Sequence, residues 1–396
     1  MTPAIYLDCH ATTPCDPRVL EATLPMFSEE FGNASSQHEF GRRARERVEE
    51  ARARVARLID CDPREIVFTS GATESDNLAI KGAAAAGLRG RHVVTCATEH
   101  RAVLDCCRHL EEQGFDVTYL RVDGDGLLDP GDVEAVIRDD TGLVSLMYAN
   151  NEIGVLHPIA EVGALCRKKG VLFHCDAVQA LRHVACRVND LHVDLLSLSG
   201  HKMYGPKGVG ALYVRRRRPR ARLRPIIDGG GHERGLRSGT LNVPAIVGLG
   251  KACEIVEAER EADARRVGQL RDDLLERILR GVPDAQVNGS STRRLPGNLN
   301  VTFPGVEARR LVAELPDVAV SSGAACSSPT FDSSYVLKCL GRGEPGELGG
   351  IRFGLGRFTT AEEIERAAAA TVAAVQRLRA TPAPTADDAC AAAGEP

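Results

Sequence analysis

The first candidate for chemistry in this sequence is a lysine that follows a histidine just after an apolar run. The run from Val193 to Leu198 predicts a strand, and Ser199-Gly200-His201-Lys202 comes straight after it. A strand end would hold the Lys202 amine rigidly, and Ser199 and His201 could donate hydrogen bonds to a phosphate beside it. Most lysines in such positions are solvated surface charges, so this stretch alone indicates a reactive amine only weakly.

Polar residues also follow other predicted strands. Ser70-Gly71-Ala72-Thr73 joins a strand to a helix, and its small side chains would let an anion approach the helix N-terminus, although an isolated stretch of this kind is more often an ordinary turn and helix cap. His100 and Asn150-Asn151 each follow a strand, where a satisfied loop residue is common. Asp176 is different, because it follows a very apolar strand, where a carboxylate needs a cationic partner.

The elements that would position these residues alternate between strands and helices from about residue 64 to 214. Apolar runs predict strands over Ile66 to Thr69, His92 to Thr95, Val117 to Leu120, Leu143 to Met147, Val171 to His174 and Leu195 to Ser197. Helical patterns cover Glu74 to Ala86, Arg101 to Gln113 and Ile159 to Lys169. This alternation predicts an α/β fold with a mainly parallel central sheet, and ligands of such sheets bind at the carboxyl ends of the strands.

A second unit follows a long helical stretch from Pro244 to about Leu279. Between about residues 280 and 380 the pattern mixes strands and helices, which predicts a smaller α+β domain. After Arg379 the chain is rich in Ala, Pro and Asp, and this composition is typical of a disordered tail.

The bulk composition excludes several classes of protein. A net charge of -4 over 396 residues gives no overall electrostatic reason to bind a nucleic acid or a membrane surface. No long apolar stretch and no basic start before an apolar run occur, so we expect a cytoplasmic protein. The 13 cysteines are an odd number without Cys-x-x-Cys spacing, so no metal site is predicted. Four of them have apolar or helical neighbours that predict burial: Cys96, Cys166, Cys175 and Cys253.

Taken together, the predicted strand ends offer an anion site, an imidazole, an amide, a carboxylate and an amine. Pyridoxal phosphate requires such a set, because it needs a phosphate site, a lysine that bonds its aldehyde carbon and a carboxylate that keeps its ring nitrogen protonated. The sequence therefore predicts a site for this cofactor.

Six motifs occur in a fixed order along the chain. They are Tyr6-Leu7-Asp8 with Ala11-Thr12-Thr13-Pro14, Thr69-Ser70-Gly71-Ala72-Thr73-Glu74-Ser75-Asp76-Asn77, Thr98-Glu99-His100, Asn150-Asn151-Glu152-Ile153-Gly154, Ser199-Gly200-His201-Lys202 and Arg237-Ser238-Gly239-Thr240. With these motifs the chain resembles, from about Ile5 to Arg379, the cysteine desulfurases of the NifS/IscS type, which are fold-type I pyridoxal phosphate enzymes. The resemblance implies a large cofactor-binding domain over residues 16–256, a small domain formed by residues 1–15 and 257–379, and a disordered tail over residues 380–396.

The same resemblance implies a role for each site residue. Lys202 would hold the cofactor and move protons, His100 would stack on the ring as an acid or base, Asp176 would pair with the ring nitrogen, and Gln179 would bond the phenolic oxygen. The implied phosphate ligands are Ala72, Thr73, Ser199 and His201, with Thr240 reaching the phosphate of the other subunit in a homodimer. Asn151 and Arg352 would hold the substrate carboxylate, which suits the bidentate geometry of a guanidinium.

The sulfur acceptor predicted from the resemblance is Cys326. It lies at the centre of a segment of small residues, Ser321 to Pro329, which would leave its thiol accessible. In the implied reaction L-cysteine becomes L-alanine, and its sulfur stays on Cys326 as a persulfide that a sulfur-acceptor protein then takes. The implied destinations are iron-sulfur cluster assembly, tRNA thiolation and phosphorothioate modification of DNA.

Some features depart from the family or leave alternatives open. Cys9-His10 stands where housekeeping members carry other residues, and the C-terminus differs from the tail that docks the iron-sulfur scaffold, which favours a specialised destination. The arginine run from Arg215 to Arg224 is interpreted as a solvated strand end rather than a site for an acidic protein or a nucleic acid. A selenocysteine lyase, another fold-type I enzyme or a non-catalytic relative is the alternative function.

Overall fold

The computed structural model describes residues 4–217, 220–322, 334–342 and 349–380. The predicted nucleophile Cys326 and residues 381–396 of the predicted tail lie outside the described residues. Within these ranges the chain begins with β1 (Ile5–Tyr6), α1 (Pro17–Thr23), α2 (Pro25–Ser28) and α3 (Glu39–Ile59). An alternating part follows, with β2 (Ile66–Thr69), α4 (Ala72–Gly87), β3 (His92–Cys96), α5 (Arg101–Glu112), β4 (Asp116–Leu120), α6 (Pro130–Val136), β5 (Thr141–Met147), α7 (Ile159–Lys169), β6 (Leu172–Asp176), β7 (Leu195–Ser199) and β8 (Gly210–Val214).

The C-terminal part begins with a long helix. Its elements are α8 (Val243–Gly281), β9 (Gln286–Val287), β10 (Asn298–Thr302), α9 (Ala308–Ala313), β11 (Val318–Ala319), β12 (Ser321–Ser322), α10 (Tyr335–Cys339), β13 (Ile351–Gly354) and α11 (Ala361–Ala380). The last helix extends one residue into the segment that the sequence predicted to be disordered.

A seven-stranded sheet forms the centre of the molecule, in the order β2-β8-β7-β6-β5-β3-β4. The pairs from β7 to β4 are parallel, whereas β8 is antiparallel to both of its neighbours. The predicted α/β fold with a mainly parallel sheet is therefore confirmed, and β8 is a strand that the apolar pattern did not indicate. Because β6 and β7 are parallel neighbours, their last residues, Asp176 and Ser199, meet at one edge of the sheet.

Burial explains why the strands of this sheet read as continuous apolar runs. Every residue of β2, β3, β5, β7 and β8 is buried, as expected for strands covered on both faces. The four cysteines that were predicted to be buried are buried, and every cysteine that the structure describes is a free thiol.

A second sheet, in the order β12-β13-β10-β9, is antiparallel, and β1 pairs in parallel with β11. This part has its own apolar core, in which Ile5 and Leu7 pack with residues beyond 266, such as Val301, Phe353 and Ile364. The predicted smaller α+β unit is thus present. We propose the division into residues 16–256 and residues 1–15 with 257–379, because the two cores are separate.

Helix α8 connects the two cores. Ile246 and Leu249 near its start belong to the core of the central sheet, whereas Leu274 and Ile278 near its end belong to the second core. Its first turn is capped by Asn242, whose side chain accepts a hydrogen bond from Ala245 N at 3.2 Å. One continuous helix therefore fixes the distance between the two parts.

The arginine run is only partly solvated. Arg216, Arg217, Arg220, Arg222 and Arg224 are exposed, as expected, but Arg215 is buried, with its Nε 3.9 Å from Asp194 Oδ1. The interpretation of the whole run as solvated was wrong at Arg215, because its backbone continues from the buried strand β8. Of the helices that the structure describes, none has the length and hydropathy to span a membrane.

A buried ion pair joins α3 to the loop before α8. The guanidinium of Arg52 donates to both oxygens of Glu233 at 2.8 Å, and to the Ile66 carbonyl at 2.9 Å. Glu233 also accepts the backbone N–H of Phe68 at 2.8 Å. The pair thus holds the start of β2 between two distant segments.

Arg52→Met should lower the free energy of unfolding by about 3–5 kcal/mol, because Glu233 then stays buried without its cationic partner. Chemical denaturation followed by circular dichroism measures this change. Arg43→Met, which removes the exposed ion pair with Glu39, is the control and should leave the midpoint nearly unchanged. Equal midpoints for the two variants would contradict the role of the buried pair.

Candidate active site

A cavity of about 520 Å³ opens at the carboxyl edge of the central sheet. The predicted site residues that line it are Ala72, Thr73, His100, Asn151, Asp176, Gln179, Ser199, His201, Lys202 and Arg352. Thr240 is exposed and does not line the cavity, and Cys326 lies outside the described residues. The fold thus brings residues from several strand ends and from the second domain to one place.

One end of the cavity is suited to an anion. Helix α4 begins at Ala72, and within the described residues no side chain caps its first turn, so its backbone N–H groups are available to a ligand. Position 210, which packs against the residue before α4, requires glycine, because a Cβ atom there would lie 2.8 Å from the Gly71 Cα. Thr73, Ser199 and His201 line the same cavity, so the residues fit a phosphate group.

His201 is held in its neutral form. Its Nδ1 is 3.2 Å from Thr12 Oγ1. Burial, together with the charges of Lys202 and Lys207, lowers the pKa of His201 to about 4. A neutral imidazole can still donate one hydrogen bond, so His201 can bind a phosphate without adding a charge.

Asp176 is a buried carboxyl at the end of β6. One oxygen accepts the Val178 N–H at 2.9 Å. Burial raises the pKa of Asp176, while that hydrogen bond and the charges of His100 and Lys202 act in the opposite direction. A carboxylate in this position would be stabilised by a protonated ring nitrogen, so it fits the ring of pyridoxal phosphate.

His100 begins α5 and caps it. Its Nδ1 accepts the Ala102 N–H at 3.1 Å, so the proton of the neutral ring is assigned to Nε2. Burial lowers the pKa of His100, with Asp176 opposing and Lys202 reinforcing this effect. The ring is therefore neutral near pH 7 and faces the cavity as a hydrogen-bond donor.

The Lys202 amine is held against the N-terminal segment. Its Nζ donates hydrogen bonds to the His10 carbonyl at 2.5 Å and to the Ala11 carbonyl at 2.6 Å. Thr13 Oγ1 donates to the His201 carbonyl at 2.9 Å and accepts the Tyr204 N–H at 2.9 Å. The segment therefore fixes both the amine and the backbone on either side of it.

Arg352 of β13 reaches the cavity from the second domain. Its Nη2 donates to Asp8 Oδ1 at 2.7 Å and its Nη1 to the Asn151 carbonyl at 3.0 Å. Its Nε has no hydrogen-bond partner within the described residues, although the side chain is buried. The other oxygen of Asp8 accepts the Ser321 hydroxyl at 2.8 Å. Arg352 is thus oriented and retains capacity for a substrate carboxylate.

Sequence reasoning did not assign several residues that support the site. Asp8 orients Arg352, and His10 contacts both Gln179 and Lys202. Asp76 and Glu99 are fully buried, and burial raises the pKa of both carboxyl groups. Asp8, Asp76 and Glu99 lie within the sequence motifs, and this was the signal that could have pointed to them. The motifs could not show which groups these carboxyls contact.

The site as a whole fits pyridoxal phosphate, since it offers an amine, a buried carboxyl and uncapped helix N–H groups in one cavity. Residues 5–367 match the family described as aminotransferase class-V. The chain is 58% identical over 377 residues to a protein named cysteine desulfurase IscS from Anaeromyxobacter sp. (strain Fw109-5), with 95% of this chain and 93% of that protein covered.

Solved structures of related proteins also resemble this chain. A NifS-like protein superposes with a TM-score of 0.86 at 36% identity and covers 95% of this chain and 98% of its own. A structure described as SspA in complex with cysteine has a TM-score of 0.80 at 37% identity, covering 90% of this chain and 100% of its own. The chain therefore belongs to the class-V aminotransferase family and, within it, to the cysteine desulfurases.

Proposed function

We propose that this protein is a pyridoxal phosphate-dependent cysteine desulfurase that converts L-cysteine to L-alanine and retains the sulfur on Cys326. The observation that carries the proposal is the meeting of an amine, an imidazole, a buried carboxyl and a guanidinium in one cavity: Lys202, His100, Asp176 and Arg352. Membership of the cysteine desulfurases supports the reaction. The neighbour SspA was solved with cysteine, which supports L-cysteine as the substrate.

The residues of the cavity divide the binding of the cofactor among them. Pyridoxal phosphate supplies an electrophilic carbon and an electron sink when bound. Lys202 would hold it, Thr73, Ser199 and His201 would bind its phosphate together with the α4 N-terminus, and Asp176 would keep its ring nitrogen protonated. Gln179 would donate to its phenolic oxygen.

Arg352 and Asn151 would hold the substrate carboxylate. The guanidinium of Arg352 is already fixed by Asp8, so little conformational entropy is lost when the carboxylate binds. With the carboxylate held, the Lys202 amine in the same cavity would take the Cα proton. His100 then supplies a proton through Nε2.

Sulfur transfer requires the Cys326 thiolate. Its sulfur forms a bond to the substrate sulfur while the substrate Cβ–S bond breaks, and the electron pair of that bond ends as a C–H bond in alanine. No external oxidant is needed, because the sulfur that remains as a persulfide is oxidised as the substrate carbon skeleton is reduced.

The described residues at both ends of the segment 323–333 support this role for Cys326. Before it, Ser321 pairs directly with Arg352 across β12 and β13. After it, the Tyr335 hydroxyl donates to the Glu99 carbonyl at 2.7 Å, next to His100. The chain therefore enters and leaves the segment beside the cavity, and this observation supports Cys326 as the nucleophile.

The persulfide would pass to a sulfur-acceptor protein. The identity to a relative named IscS supports a destination in iron-sulfur cluster assembly. We also propose a cytoplasmic location, since the free thiols of the described cysteines are typical of a reducing compartment.

Cys326→Ala should bind pyridoxal phosphate with its visible absorption intact and release no sulfide from L-cysteine under reductant. The reason is that the cavity is unchanged while the acceptor thiol is lost. After treatment with cysteine, mass spectrometry should find one extra sulfur on the peptide that carries Cys326 in the wild-type protein, and none on the corresponding peptide of Cys326→Ala. Cys15→Ala, which removes an exposed thiol, should retain full turnover. Undiminished sulfide release by Cys326→Ala would refute the assignment.

Asp176→Asn should reduce turnover by about 10²-fold or more, because a neutral amide does not keep the ring nitrogen protonated. Steady-state alanine formation from L-cysteine measures the loss. Asp105→Asn, at an exposed ion pair with Arg108, is the matched control and should keep the wild-type rate. If both variants retained that rate, Asp176 would not be the partner of the ring.

A homodimer is part of the same proposal. Thr240 is exposed on its own protomer, which is consistent with a role at the phosphate of a second subunit. The ring centroids of Phe31 and Phe40 are 5.5 Å apart, and the two residues are 61% and 51% exposed. Exposed apolar surface of this kind is typical of an interface.

Sedimentation equilibrium should therefore give twice the mass of one chain. Because apolar burial would drive the association, Phe31→Glu with Phe40→Glu should shift the protein toward the monomer. Arg57→Glu, an exposed change at the other end of helix α3, is the control and should remain dimeric. A monomeric wild-type protein would contradict this part of the proposal.

A further inference from the structure

His10 is a buried residue at the cavity wall for which the proposed reaction has no role. It is 1% exposed and lines the cavity. Its backbone carbonyl accepts hydrogen bonds from Lys202 Nζ at 2.5 Å and from Gln179 Nε2 at 2.9 Å. One residue therefore contacts both side chains that would surround the oxygen-bearing edge of the cofactor.

The His10 ring contacts the other end of the same amide. Its Nδ1 is 3.0 Å from Gln179 Oε1, and its Nε2 is 3.2 Å from the Gly297 carbonyl. Both polar atoms of the Gln179 amide thus meet His10, one at the backbone and one at the ring. A flip of the amide would place Oε1 against the His10 carbonyl, so the observed orientation is the favoured one.

The position of the ring proton follows from what each neighbour requires. The Gly297 carbonyl already accepts the Leu355 N–H at 2.8 Å, whereas the hydrogen-bond partner of Gln179 Oε1 is the His10 ring itself. A proton on Nδ1 gives Gln179 Oε1 its donor and leaves the Nε2 lone pair facing the Gly297 carbonyl, which already has a donor, at the longer distance of 3.2 Å. A proton on Nε2 would leave two lone pairs facing each other at 3.0 Å. The neutral ring therefore carries its proton on Nδ1 and donates to Gln179.

Several charged or titratable groups surround the ring. Burial, with the charges of Arg182 and Arg352, holds the pKa of His10 well below its ordinary value, so the ring is neutral. Arg182 Nη2 is 3.4 Å from Nδ1, at the outer limit of a hydrogen bond, while its Nε donates to His183 Nε2 at 2.8 Å. The Lys202 amine is bonded to the His10 carbonyl. These groups stay the same in each substitution described below.

We propose that His10 is a positioning residue that locks the Gln179 amide with its NH₂ group toward the cavity. One N–H of that group bonds the His10 carbonyl, and the second remains available to an oxygen of the ligand. This inference rests on the proposed function, in which that oxygen is the phenolic oxygen of pyridoxal phosphate. A locked N–H donor stabilises the deprotonated form of the oxygen, whereas an amide free to rotate does so less.

The pH dependence of the visible absorption of the bound cofactor tests this proposal. His10→Gln moves the side-chain donor away from the Nδ1 position, and its midpoint should shift upward by about 1 pH unit, or about tenfold in proton affinity. His10→Asn, the matched control, places an N–H near the Nδ1 position and should keep the wild-type midpoint. His10→Ala gives the same test as His10→Gln if the latter does not fold.

A double-variant cycle separates positioning from a general structural effect. Gln179→Leu should shift the midpoint as His10→Gln does, and the two changes together should add no further shift, because His10 acts through Gln179. An unchanged midpoint in cofactor-loaded His10→Gln, or shifts that add, would overturn this inference alone. A wild-type protein that gains no visible absorption with pyridoxal phosphate would overturn the cofactor assignment as well.

Discussion

The hydrogen bonds from the Lys202 amine to the carbonyls of His10 and Ala11 are the interaction on which the site depends. They join a turn of the central sheet to a segment that leaves β1, a strand paired with the second domain through β11. The proposed chemistry uses an amine at this position, and a partly buried amine requires hydrogen-bond acceptors. The N-terminal segment supplies them, so the same contacts position the lysine and hold the two domains together.

Desolvation is the second constraint. Asp176 and His100 lie in the same cavity wall, and burial moves their pKa values in opposite directions, upward for the carboxyl and downward for the imidazole. Burial disfavours the charged form of each group, so the Asp176 carboxylate would be stabilised by a protonated ring nitrogen placed beside it. The central sheet creates this environment because its strands are buried along their whole length, while their carboxyl ends open into the cavity.

The second domain contributes the positive charge of Arg352 to a cavity whose other residues come mainly from the central sheet. Arg352 arrives on β13, and Asp8, which follows β1, fixes it from one side while the Asn151 carbonyl fixes it from another. Ser321, which leads toward the Cys326 segment, bonds the same Asp8. The Arg352 guanidinium and the residue that leads into the Cys326 segment therefore share one carboxylate, which would link the proposed substrate binding and sulfur transfer in space.

The sequence by itself determined the parallel sheet, the helices between its strands and the polar residues at the strand ends, because apolar periodicity is local and parallel strands share one edge. It also predicted Lys202 and, by family resemblance, the remaining site residues. It could not show β8, whose antiparallel pairing breaks the alternation, or the burial of Arg215. Only the tertiary structure decided which groups orient the site, since His10 and Gln179 are 169 residues apart and Asp8 and Arg352 are 344 apart. Contacts over such separations depend on how the domains pack, and no local pattern records them.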